Sequence, residues 1–499
     1  MAFLSIVPLV ALAASTVLLM VQDVAAPNPE VSRWIAAASL AFTAFLSAVL
    51  GASGTTGTVG GMFRFDSYAQ FFDTVFSLSA FLVVLQSAKY QKSSKTPFEM
   101  NVLVIASTIG MFLVAASTNL LSLFVSFELA TVGTYALVGY SRDSQRSSEA
   151  AIKFFVVGAL SAGVILYGIS LIFLTTGTLG ITSAITLVDA SEAKLLGVAF
   201  VLLIAGFGFK IAAVPFHFWL PDTYDGAPYP ATSFLASASK IMGFAALVKV
   251  FLVMGPAVTA LSGLDWRLLF GVLSLITMTV GNLAAMVQTN VKRMLAYSSI
   301  AMSGYIMIGL ALGTAYAFSA LLYFTLSYAV SKIGSFIVAD FFETEHGART
   351  VEEYSWLARA SPFSAVSLSF FLLSLAGIPP LAVFVAKFFI FYAAVQVGGL
   401  WIWLAVAGVL NSALSLYYYA RVIKSMYLGF SANSERKFDK ITESWYYAIP
   451  TIIALGFTFA LGVAEAPVLG AASHSLQILT GALGKQVVEG FIFVFRLIH

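Results

Sequence analysis

The 499-residue sequence contains no cysteine, little charge and no polar segment long enough to fold as a separate domain. Without cysteine, the chain cannot form disulfides, thiolate-held iron–sulfur clusters or cysteine-based zinc sites. Charged residues make up 10% of the chain, whereas soluble domains usually carry about 25%. The sequence therefore excludes a soluble protein, and any redox chemistry linked to it must lie in partner proteins.

The sequence is rich instead in apolar segments of membrane-spanning length. Hydrophobic residues make up 60% of the chain, and the mean hydropathy is +0.94. These segments predict an all-α, polytopic membrane protein with about fourteen spans, numbered 1–14 in chain order. The predicted spans lie at roughly 2–22, 32–51, 69–88, 99–116, 119–139, 150–175, 195–220, 228–254, 267–287, 294–313, 316–341, 362–393, 401–427 and 444–464. A weaker apolar stretch, Gln477–Ile498, is predicted to form an amphipathic tail on the membrane, with a fifteenth span as the alternative.

Basic residues are concentrated in alternate loops, after spans 3, 5, 9 and 13. They are Lys89, Lys92, Lys95, Arg142, Arg146, Lys292, Arg293, Arg421, Lys424, Arg436, Lys437 and Lys440. Because short cytoplasmic loops carry an excess of lysine and arginine, this pattern predicts an external N-terminus. The N-terminal segment has no charged n-region and fits a first span better than a cleaved signal peptide, which stays open as the alternative. The net charge of +3 is small and gives no indication of nucleic-acid binding.

Proline interrupts two of the predicted spans. In GFGFKIAAVPFHFWLPD, Pro215 follows Lys210 and breaks span 7. In SLAGIPPLAVFVAKFF, Pro379 and Pro380 break span 12 and Lys387 follows. Since the two spans are five apart, the copies of a five-span unit would have opposite orientations in the membrane. Paired interruptions of this kind indicate an inverted repeat with an ion pathway between its halves.

Four ionisable residues lie within otherwise apolar spans: Glu128, Lys210, Lys240 and Lys387. A charge at membrane depth is costly and usually serves ion movement, although a structural ion pair is the alternative for each. A lysine removed from water can release its proton near neutral pH, which an exposed lysine cannot do. A nearby carboxylate such as Glu128 would favour the protonated form, so moving that charge would switch a lysine between holding and releasing a proton.

Three further residues, Lys153, Lys332 and His217, each have a structural and a functional interpretation. Lys153 lies one turn inside span 6, where it either reaches the interface or tunes Glu128. Lys332, within span 11, either extends the polar axis or forms a local pair. His217, in the break of span 7, either bridges a proton relay or caps freed carbonyl groups. Lys249, near the end of span 8, is predicted to be an interfacial anchor.

Some classes of site have no counterpart in the sequence. Nothing resembles a phosphate-binding glycine-rich loop, a Ser/His/Asp arrangement or a cluster of metal ligands. Composition leaves open a pocket for a small organic substrate.

The residues around the two breaks also carry a family resemblance. FKIAAVPFHFWLPDTYDGAPYPATSFLASASK resembles the signature of the proton-translocating, antiporter-like membrane subunits of respiratory complex I, a family that includes the subunits of Mrp-type cation/proton antiporters. GNLAAMVQTNVKRMLAYSSIAMSGY and SLAGIPPLAVFVAKFF are similar to two further blocks of that family. The motif VPFHFWLPDTYDGAP and the length are closest to its subunit N branch, which includes the plastid and mitochondrial counterparts of that subunit. The resemblance covers roughly Phe98 to Tyr427.

The resemblance implies fourteen spans in which spans 4–8 and 9–13 form two inverted five-helix repeats, with spans 7 and 12 broken. The implied segments are 1–97 for spans 1–3, 98–255 for the first repeat, 256–428 for the second, and 429–499 for span 14 and the tail. It also implies residue roles. Glu128 would be the glutamate paired with a lysine, Lys153 its modulator, Lys210 the central proton-holding lysine, Lys240 the connecting lysine, and Lys387 the terminal lysine.

The same resemblance implies the setting in which the chain works. It would hold no cofactor and no metal, while quinone, flavin and iron–sulfur clusters would belong to partner subunits of a complex I-type enzyme in an energy-transducing membrane of a bacterium or archaeon. The electron donor stays open between NADH, ferredoxin and a deazaflavin, and so does the choice between protons and sodium. A subunit of a sodium/proton antiporter, an enzyme acting on a lipid-soluble substrate and a purely structural subunit are the rival hypotheses.

The sequence departs from the family pattern in two places. Met302 stands where the family often has histidine, which puts a histidine step in span 10 in doubt. Lys332 stands where many members have an uncharged residue. We predict that Lys332 takes over part of the missing polar link.

Overall fold

The structure is a computed structural model that describes residues 3–93, 97–183, 193–429 and 444–480. Thirteen helices in these ranges are long and apolar enough to cross a membrane, and the two halves of span 12 are shorter apolar helices. All fourteen predicted spans are therefore confirmed as helical, with ends that shift by a few residues. The chain is a multi-pass membrane protein.

The helices of the first repeat and of the segment before it follow the predicted order. Spans 1–6 are Val7–Ala25, Pro29–Ser53, Ser67–Gln86, Pro97–Ala116, Leu120–Val138 and Gln145–Thr176. Span 7 consists of Ala193–Ile211 and Trp219–Gly226. Span 8 begins as Tyr229–Phe234, passes through a π-helical turn at Leu235–Ser239 and continues as Lys240–Ser262.

The second repeat and the C-terminal part also match the predicted spans. Spans 9–11 are Trp266–Met286, Val291–Leu312 and Ala315–His346. Span 12 consists of Pro362–Ala376 and Ala382–Val397, and spans 13 and 14 are Ile402–Leu428 and Trp445–Val463. Both predicted helix breaks are therefore present.

Several short elements between the spans were not predicted. An antiparallel β-hairpin, Gly57–Val59 with Phe63–Phe65, lies between spans 2 and 3, so the protein is not entirely helical. Short helices cover Ala88–Ser93 and Leu357–Ala360. A helix at Glu465–Thr480 follows span 14 and packs against spans 3 and 11. The predicted tail begins inside that helix, and its residues 481–498 lie outside the described part of the chain.

The two repeats use the same close helix contact at equivalent positions. A Cβ atom added to Gly110 of span 4 would lie 2.5 Å from the Ala130 nitrogen of span 5. A Cβ atom added to Gly281 of span 9 would lie 2.5 Å from the Ala301 nitrogen of span 10. Both pairs of counterparts, 110 with 281 and 130 with 301, are 171 positions apart. Glycine is needed at both positions because no side chain fits between the helices.

The loops flanking these helices repeat as well. Asn119 and Asn290, again 171 positions apart, cap spans 5 and 10 with their side-chain oxygens. Asn119 also forms an isolated β-bridge with Gly180, in the loop after span 6. Asn290 forms one with Thr350, in the loop after span 11. Spans 4–8 and 9–13 are therefore two copies of one unit. Because the unit has an odd number of spans, the copies are inverted relative to each other.

The spans differ greatly in how much of their surface is covered by other spans. Spans 10 and 11 are each 94% buried over their most apolar window, and span 3 is 89% buried. Spans 1 and 13 are each only 28% buried, which leaves most of their apolar surface for lipid or for other subunits. The best-covered spans are thus the ones that carry Met302 and Lys332, at the interface of the two repeats.

Candidate functional site

The break in span 7 is stabilised by spans 9 and 10 of the other repeat. Lys210 is the last residue but one in the first half of span 7, which ends at Ile211. The Ser303 hydroxyl donates a hydrogen bond to the Ile211 carbonyl oxygen at 2.5 Å. The Val214 N–H donates to the Thr277 hydroxyl oxygen at 3.0 Å. Backbone groups freed by the break are thus satisfied by protein, as membrane depth requires.

Lys210 is buried between spans 5, 6 and 7. Its ammonium donates a hydrogen bond to the Thr131 hydroxyl oxygen at 3.1 Å. It also lies 5.6 Å from the ring centre of Phe127 and 5.5 Å from that of Phe154, within cation–π distance. Glu128, on the same helix as Thr131, is half-buried and interacts electrostatically with Lys210. Glu128 therefore acts on Lys210 through its charge, while the direct contact of the lysine is the Thr131 hydroxyl group.

Lys153 belongs to a charged cluster at the membrane face where span 6 begins. Its ammonium lies 2.8 Å from a Glu149 oxygen and 3.0 Å from a carboxylate oxygen of Asp222, in the second half of span 7. The other Asp222 oxygen lies 2.8 Å from the Arg293 guanidinium at the start of span 10. The side chain of Lys153 is 45% exposed, so it reaches the surface. Asp222 thus links the two repeats, a role that was not predicted although the residue lies in the quoted signature.

Lys240 connects span 8 to span 10. It follows the π-helical turn, and its ammonium donates a hydrogen bond to the Ser299 carbonyl oxygen at 2.8 Å. This acceptor is neutral, so burial of Lys240 is compensated by a dipole and not by a direct ion pair. Lys240, on the last span of the first repeat, therefore contacts the second repeat directly.

Lys332 lies next along the same line. Its ammonium donates to the Leu295 carbonyl oxygen and to the Ser298 hydroxyl oxygen, both at 2.7 Å. Lys332 and Lys240 interact electrostatically, and both contact the same stretch of span 10. The lysine that was singled out as a departure from the family pattern therefore lies within the polar line and does not form a separate local pair.

Hydroxyl and amide groups continue the line toward span 12. The Ser298 hydroxyl is 2.7 Å from the Tyr419 hydroxyl, and the Tyr419 ring packs against Tyr418. The Tyr418 hydroxyl donates to the Asn282 amide oxygen at 3.0 Å. The Asn282 amide nitrogen donates to the Tyr305 hydroxyl oxygen at 3.1 Å. These neutral groups were missed because hydroxyl and amide side chains are common in apolar helices and only their three-dimensional pairing distinguishes them.

Lys387 ends the line at the break of span 12. Its ammonium lies 4.7 Å from the ring centre of Tyr305. It donates to the Leu375 and Ala376 carbonyl oxygens at 3.1 and 3.0 Å, and so satisfies the end of the first half of span 12. It also lines a mostly apolar cavity of about 670 Å³ between spans 12 and 13. Lys387 is thus the group that stabilises one break, as Ser303 and Thr277 stabilise the other.

Met302 occupies the position equivalent to Thr131, 171 positions later. It is completely buried in span 10 and has no hydroxyl oxygen that could accept a hydrogen bond from a lysine. The second repeat therefore lacks the hydroxyl contact that Lys210 has in the first. The polar line passes instead through Ser298 and Lys332.

His217 and Lys249 lie outside this line. His217 is between the halves of span 7 with its ring against Phe218, and its Nδ1 atom has no hydrogen-bond partner among the described residues. Lys249 is 4% exposed and donates to the Ser117 carbonyl oxygen at 2.9 Å and to that of Ala115. The prediction of Lys249 as an interfacial anchor is therefore wrong, because its ammonium is needed by the carbonyl groups at the end of span 4.

The geometry thus contains four buried lysines spread over both repeats. Lys240 and Lys332 contact the same stretch of span 10, and Lys387 lies over the ring of Tyr305. A family model described as "NADH:quinone oxidoreductase/Mrp antiporter, TM" matches residues 117–415, which hold all four. The chain belongs to this family. The resemblance predicted from the motifs around the two breaks is confirmed.

Relatives in this family match the chain over most of its length. It is 40% identical over 438 residues to NADH-quinone oxidoreductase subunit N of Trichlorobacter lovleyi, covering 87% of this chain and 88% of the relative. It is 40% identical over 428 residues to F(420)H(2) dehydrogenase subunit N of Methanosarcina mazei, covering 83% of this chain and 84% of the relative. A chain of respiratory complex I from Thermus thermophilus is similar in structure, with a TM-score of 0.77, 30% identity and coverage of 93% of this chain and 99% of that one.

Proposed function

We propose that this chain is a proton-translocating membrane subunit of a complex I-type oxidoreductase, of the subunit N branch. The observation that carries the proposal is the set of buried lysines, Lys210, Lys240, Lys332 and Lys387, which are 0–3% exposed. Their ammonium groups donate to neutral oxygen atoms, and the bond of Lys240 joins the two repeats. Relatives that match more than four fifths of the chain are subunit N of redox complexes, which supports this branch over the antiporter branch.

Protons move along this line by exchange between lysines and the groups that bridge them. A proton rests on Lys210 while the Glu128 carboxylate stabilises its charge. Lys240 and Lys332 interact electrostatically and are both cations when protonated, so a proton on one disfavours a proton on the other. A proton that arrives on Lys240 therefore repels the proton already on Lys332, which moves on through Ser298 and the tyrosine hydroxyls toward Lys387.

The energies involved are of matching size. Moving one charge against 100 mV requires about 2.3 kcal/mol. A change of two units in the pKa of an acceptor corresponds to about 2.7 kcal/mol. A rearrangement that moves the charge near Glu128 is thus sufficient to drive one proton, and a partner module that reduces quinone would supply it.

The orientation proposed from the basic loops assigns the two faces of the protein to the two sides of the membrane. With the N-terminus outside, Lys153, Asp222 and Arg293 lie at the cytoplasmic face, and the β-hairpin at Gly57–Phe65 lies outside. Lys153 then modulates Glu128 from the entry side through its position on span 6. His217 keeps a secondary role at the break of span 7.

The setting of the chain follows from the same proposal. The chain itself has no cofactor and no metal, and its partners are the other membrane-arm subunits and the bilayer of a bacterial or archaeal cell membrane. Flavin, iron–sulfur clusters and quinone belong to the partners. Because one relative is a subunit of an F(420)H(2) dehydrogenase, the proposal includes electron donors other than NADH.

The decisive experiment measures proton pumping and electron transfer together in membrane vesicles that carry Lys210→Met. Lys210→Arg is the matched control, since it keeps a cation in the same place. We expect proton pumping to be lost in Lys210→Met while the complex still assembles, because the site beside Thr131 and Glu128 then has no group that can hold a proton. If both activities persist at the wild-type ratio, Lys210 is structural and the proposal is wrong.

Co-purification separates the proposal from an antiporter subunit of the same family. An affinity-tagged chain is expected to bring down flavin and iron–sulfur absorbance together with the membrane partners. Small membrane proteins without either chromophore would identify a cation/proton antiporter instead.

A further inference from the structure

Asp73 is a buried carboxyl group that the line of lysines does not use. It lies in span 3, is 0% exposed, and neither of its oxygens has a hydrogen-bond donor among the described residues. An ionised carboxylate buried without donors costs several kcal/mol unless a charge or a proton compensates it. The site around Asp73 is therefore built to hold a compensating species.

Lys249 is the cation whose charge acts on Asp73. The two residues interact electrostatically, as does Asp66 at the start of span 3. The Lys249 ammonium already donates to two carbonyl oxygens at the end of span 4, and it lies 5.3 Å from the ring centre of Tyr68. These contacts fix the ammonium between spans 3, 4 and 8, where it has one hydrogen left for a further acceptor.

Charged groups connect this pair to one membrane face. Asp66 caps span 3, is almost completely buried and lies 3.5 Å from the Arg64 guanidinium, whose side chain is 45% exposed. Asp73 follows Asp66 by seven residues, which is about 10 Å of helix. The groups facing Asp73 and Lys249 are thus Asp66, Arg64 and Tyr68, and they extend from the pair to the face that carries the β-hairpin.

The other direction leads to the line of lysines. Lys249 follows Lys240 by nine residues on span 8, a rise of about 14 Å. Lys240 therefore lies deeper in the membrane than Lys249, with the pair between it and the hairpin face. The pair is separate from Lys387, which belongs to the second repeat.

We propose that Asp73 and Lys249 form a second proton-holding site, through which the first repeat exchanges protons with the side of the membrane that carries the β-hairpin. In the loaded state Asp73 is a neutral carboxylic acid and Lys249 an ammonium. In the unloaded state the carboxyl proton has left by way of Asp66, and an aspartate–lysine ion pair stays behind. Each cycle moves one proton and transfers no other atom. The proposal depends on the proton-translocating function proposed above only for the direction of flow.

Infrared difference spectroscopy tests the site without relying on pumping. Membranes with the complete complex are titrated with acid, and spectra of the wild type, Asp73→Asn and Asp73→Glu are compared. We expect a carbonyl band of a protonated carboxyl group that is missing in Asp73→Asn and shifted in Asp73→Glu. Asp66→Asn shows whether the band belongs to Asp73 or to its neighbour: Asp66 has a backbone donor at 3.1 Å, and the band should survive its replacement. A spectrum with no band that depends on Asp73 would overturn the proposal.

Paired variants then distinguish a proton site from a structural ion pair. Asp73→Asn and Lys249→Met are each expected to lower pumping per electron by about a hundredfold or more, the range for loss of a positioned proton-transfer group. The double variant removes both charges together and should stay as low. Full recovery in the double variant would show that only charge balance matters and would contradict the proposal. If Lys210→Met leaves pumping intact, the proposed function fails, while the infrared result still decides the Asp73 site.

Discussion

At the scale of single residues, the buried ammonium groups of Lys210, Lys240 and Lys332 are each satisfied by neutral oxygen atoms of another span. A lysine inside an apolar span stands out because burial of its charge is costly. Thr131, Ser298 and Asn282 do not stand out, since hydroxyl and amide side chains are tolerated in spans by bonding to their own helix. Which of them face a lysine is decided by helix packing over long sequence separations, which a single sequence does not reveal.

The contact between Thr131 and Lys210 gives a prediction on one hydrogen bond. Thr131→Val removes the hydroxyl acceptor and keeps the shape of the side chain. A hydrogen bond to a charged group contributes about 1.5–3 kcal/mol, so we expect proton pumping to slow by about tenfold or more. The measurement is the initial pumping rate in vesicles at equal electron-transfer activity.

Thr134→Val is the control for that variant. Thr134 lies one turn further along span 5, and its hydroxyl donates to the Thr131 carbonyl oxygen at 2.7 Å, away from Lys210. It should pump at close to the wild-type rate. Equal losses in the two variants would mean that span 5 is simply sensitive to loss of a hydroxyl group.

The neighbourhood of Met302 gives a second prediction at this scale. Lys332→Met removes the ammonium that contacts Leu295 and Ser298, and no other ionisable group is available at Met302 to replace it. We expect pumping to fall strongly while the complex still assembles, because burying a methionine costs less than burying a lysine. The proton-to-electron ratio in vesicles measures the effect.

Tyr419→Phe refines the test of Lys332. It removes only the hydroxyl next to Ser298 and should give a smaller loss in the same direction. Pumping that persists in Lys332→Met would show that this lysine is a local structural feature and that another group bridges the repeats.

At the scale of the helix, spans were predicted by length and the breaks by proline. Segments shorter than a span carry no comparable signal, which is why the hairpin at Gly57–Phe65 and the helix Glu465–Thr480 were missed. The way each break is stabilised could not be predicted either. Span 7 is completed by hydroxyl groups from spans 9 and 10, whereas span 12 is completed by its own Lys387.

The break in span 7 gives a prediction on stability. Ser303→Ala removes the donor to the Ile211 carbonyl oxygen and leaves that group unsatisfied at membrane depth. Loss of one partner of a buried hydrogen bond costs about 1–3 kcal/mol, so we expect a lower unfolding temperature of the detergent-solubilised complex. Loss of pumping should accompany it, because Lys210 precedes Ile211 in the chain.

Ser369→Ala is the matched control for this prediction. Ser369 is buried in span 12, but its hydroxyl donates only within its own helix, to the Ala365 carbonyl oxygen at 2.8 Å. That carbonyl is part of an intact helix, so the variant should unfold at close to the wild-type temperature. An equal shift in both variants would show that the break does not depend on Ser303.

At the scale of the whole molecule, the two repeats are alike in their packing and different in their chemistry. Gly110 with Ala130 and Gly281 with Ala301 fix the same helix contact twice. Around this common frame, Thr131 is replaced by Met302, and Lys332 provides a charge that the first repeat does not need at the equivalent place. The inverted arrangement was predictable from the two breaks and the odd number of spans between them. The unequal contacts were not, because they depend on which side chains the frame brings together.

The shared helix contact predicts matched defects in the two halves. In Gly110→Ala and Gly281→Ala, the added Cβ would lie 2.5 Å from a backbone nitrogen, so the helices must move apart. Overpacking of this kind costs about 1–3 kcal/mol, and we expect both variants to lower the unfolding temperature by a similar amount. Gly163→Ala is the control, since nothing lies within 4 Å of its added Cβ and alanine favours the helix. A defect in only one half would show that the close contact is essential in that repeat alone. Because the lysines are spread over both repeats, we expect each of these two glycine variants to reduce proton pumping. Pumping that is lost in one variant and kept in the other would show that the two repeats provide independent routes.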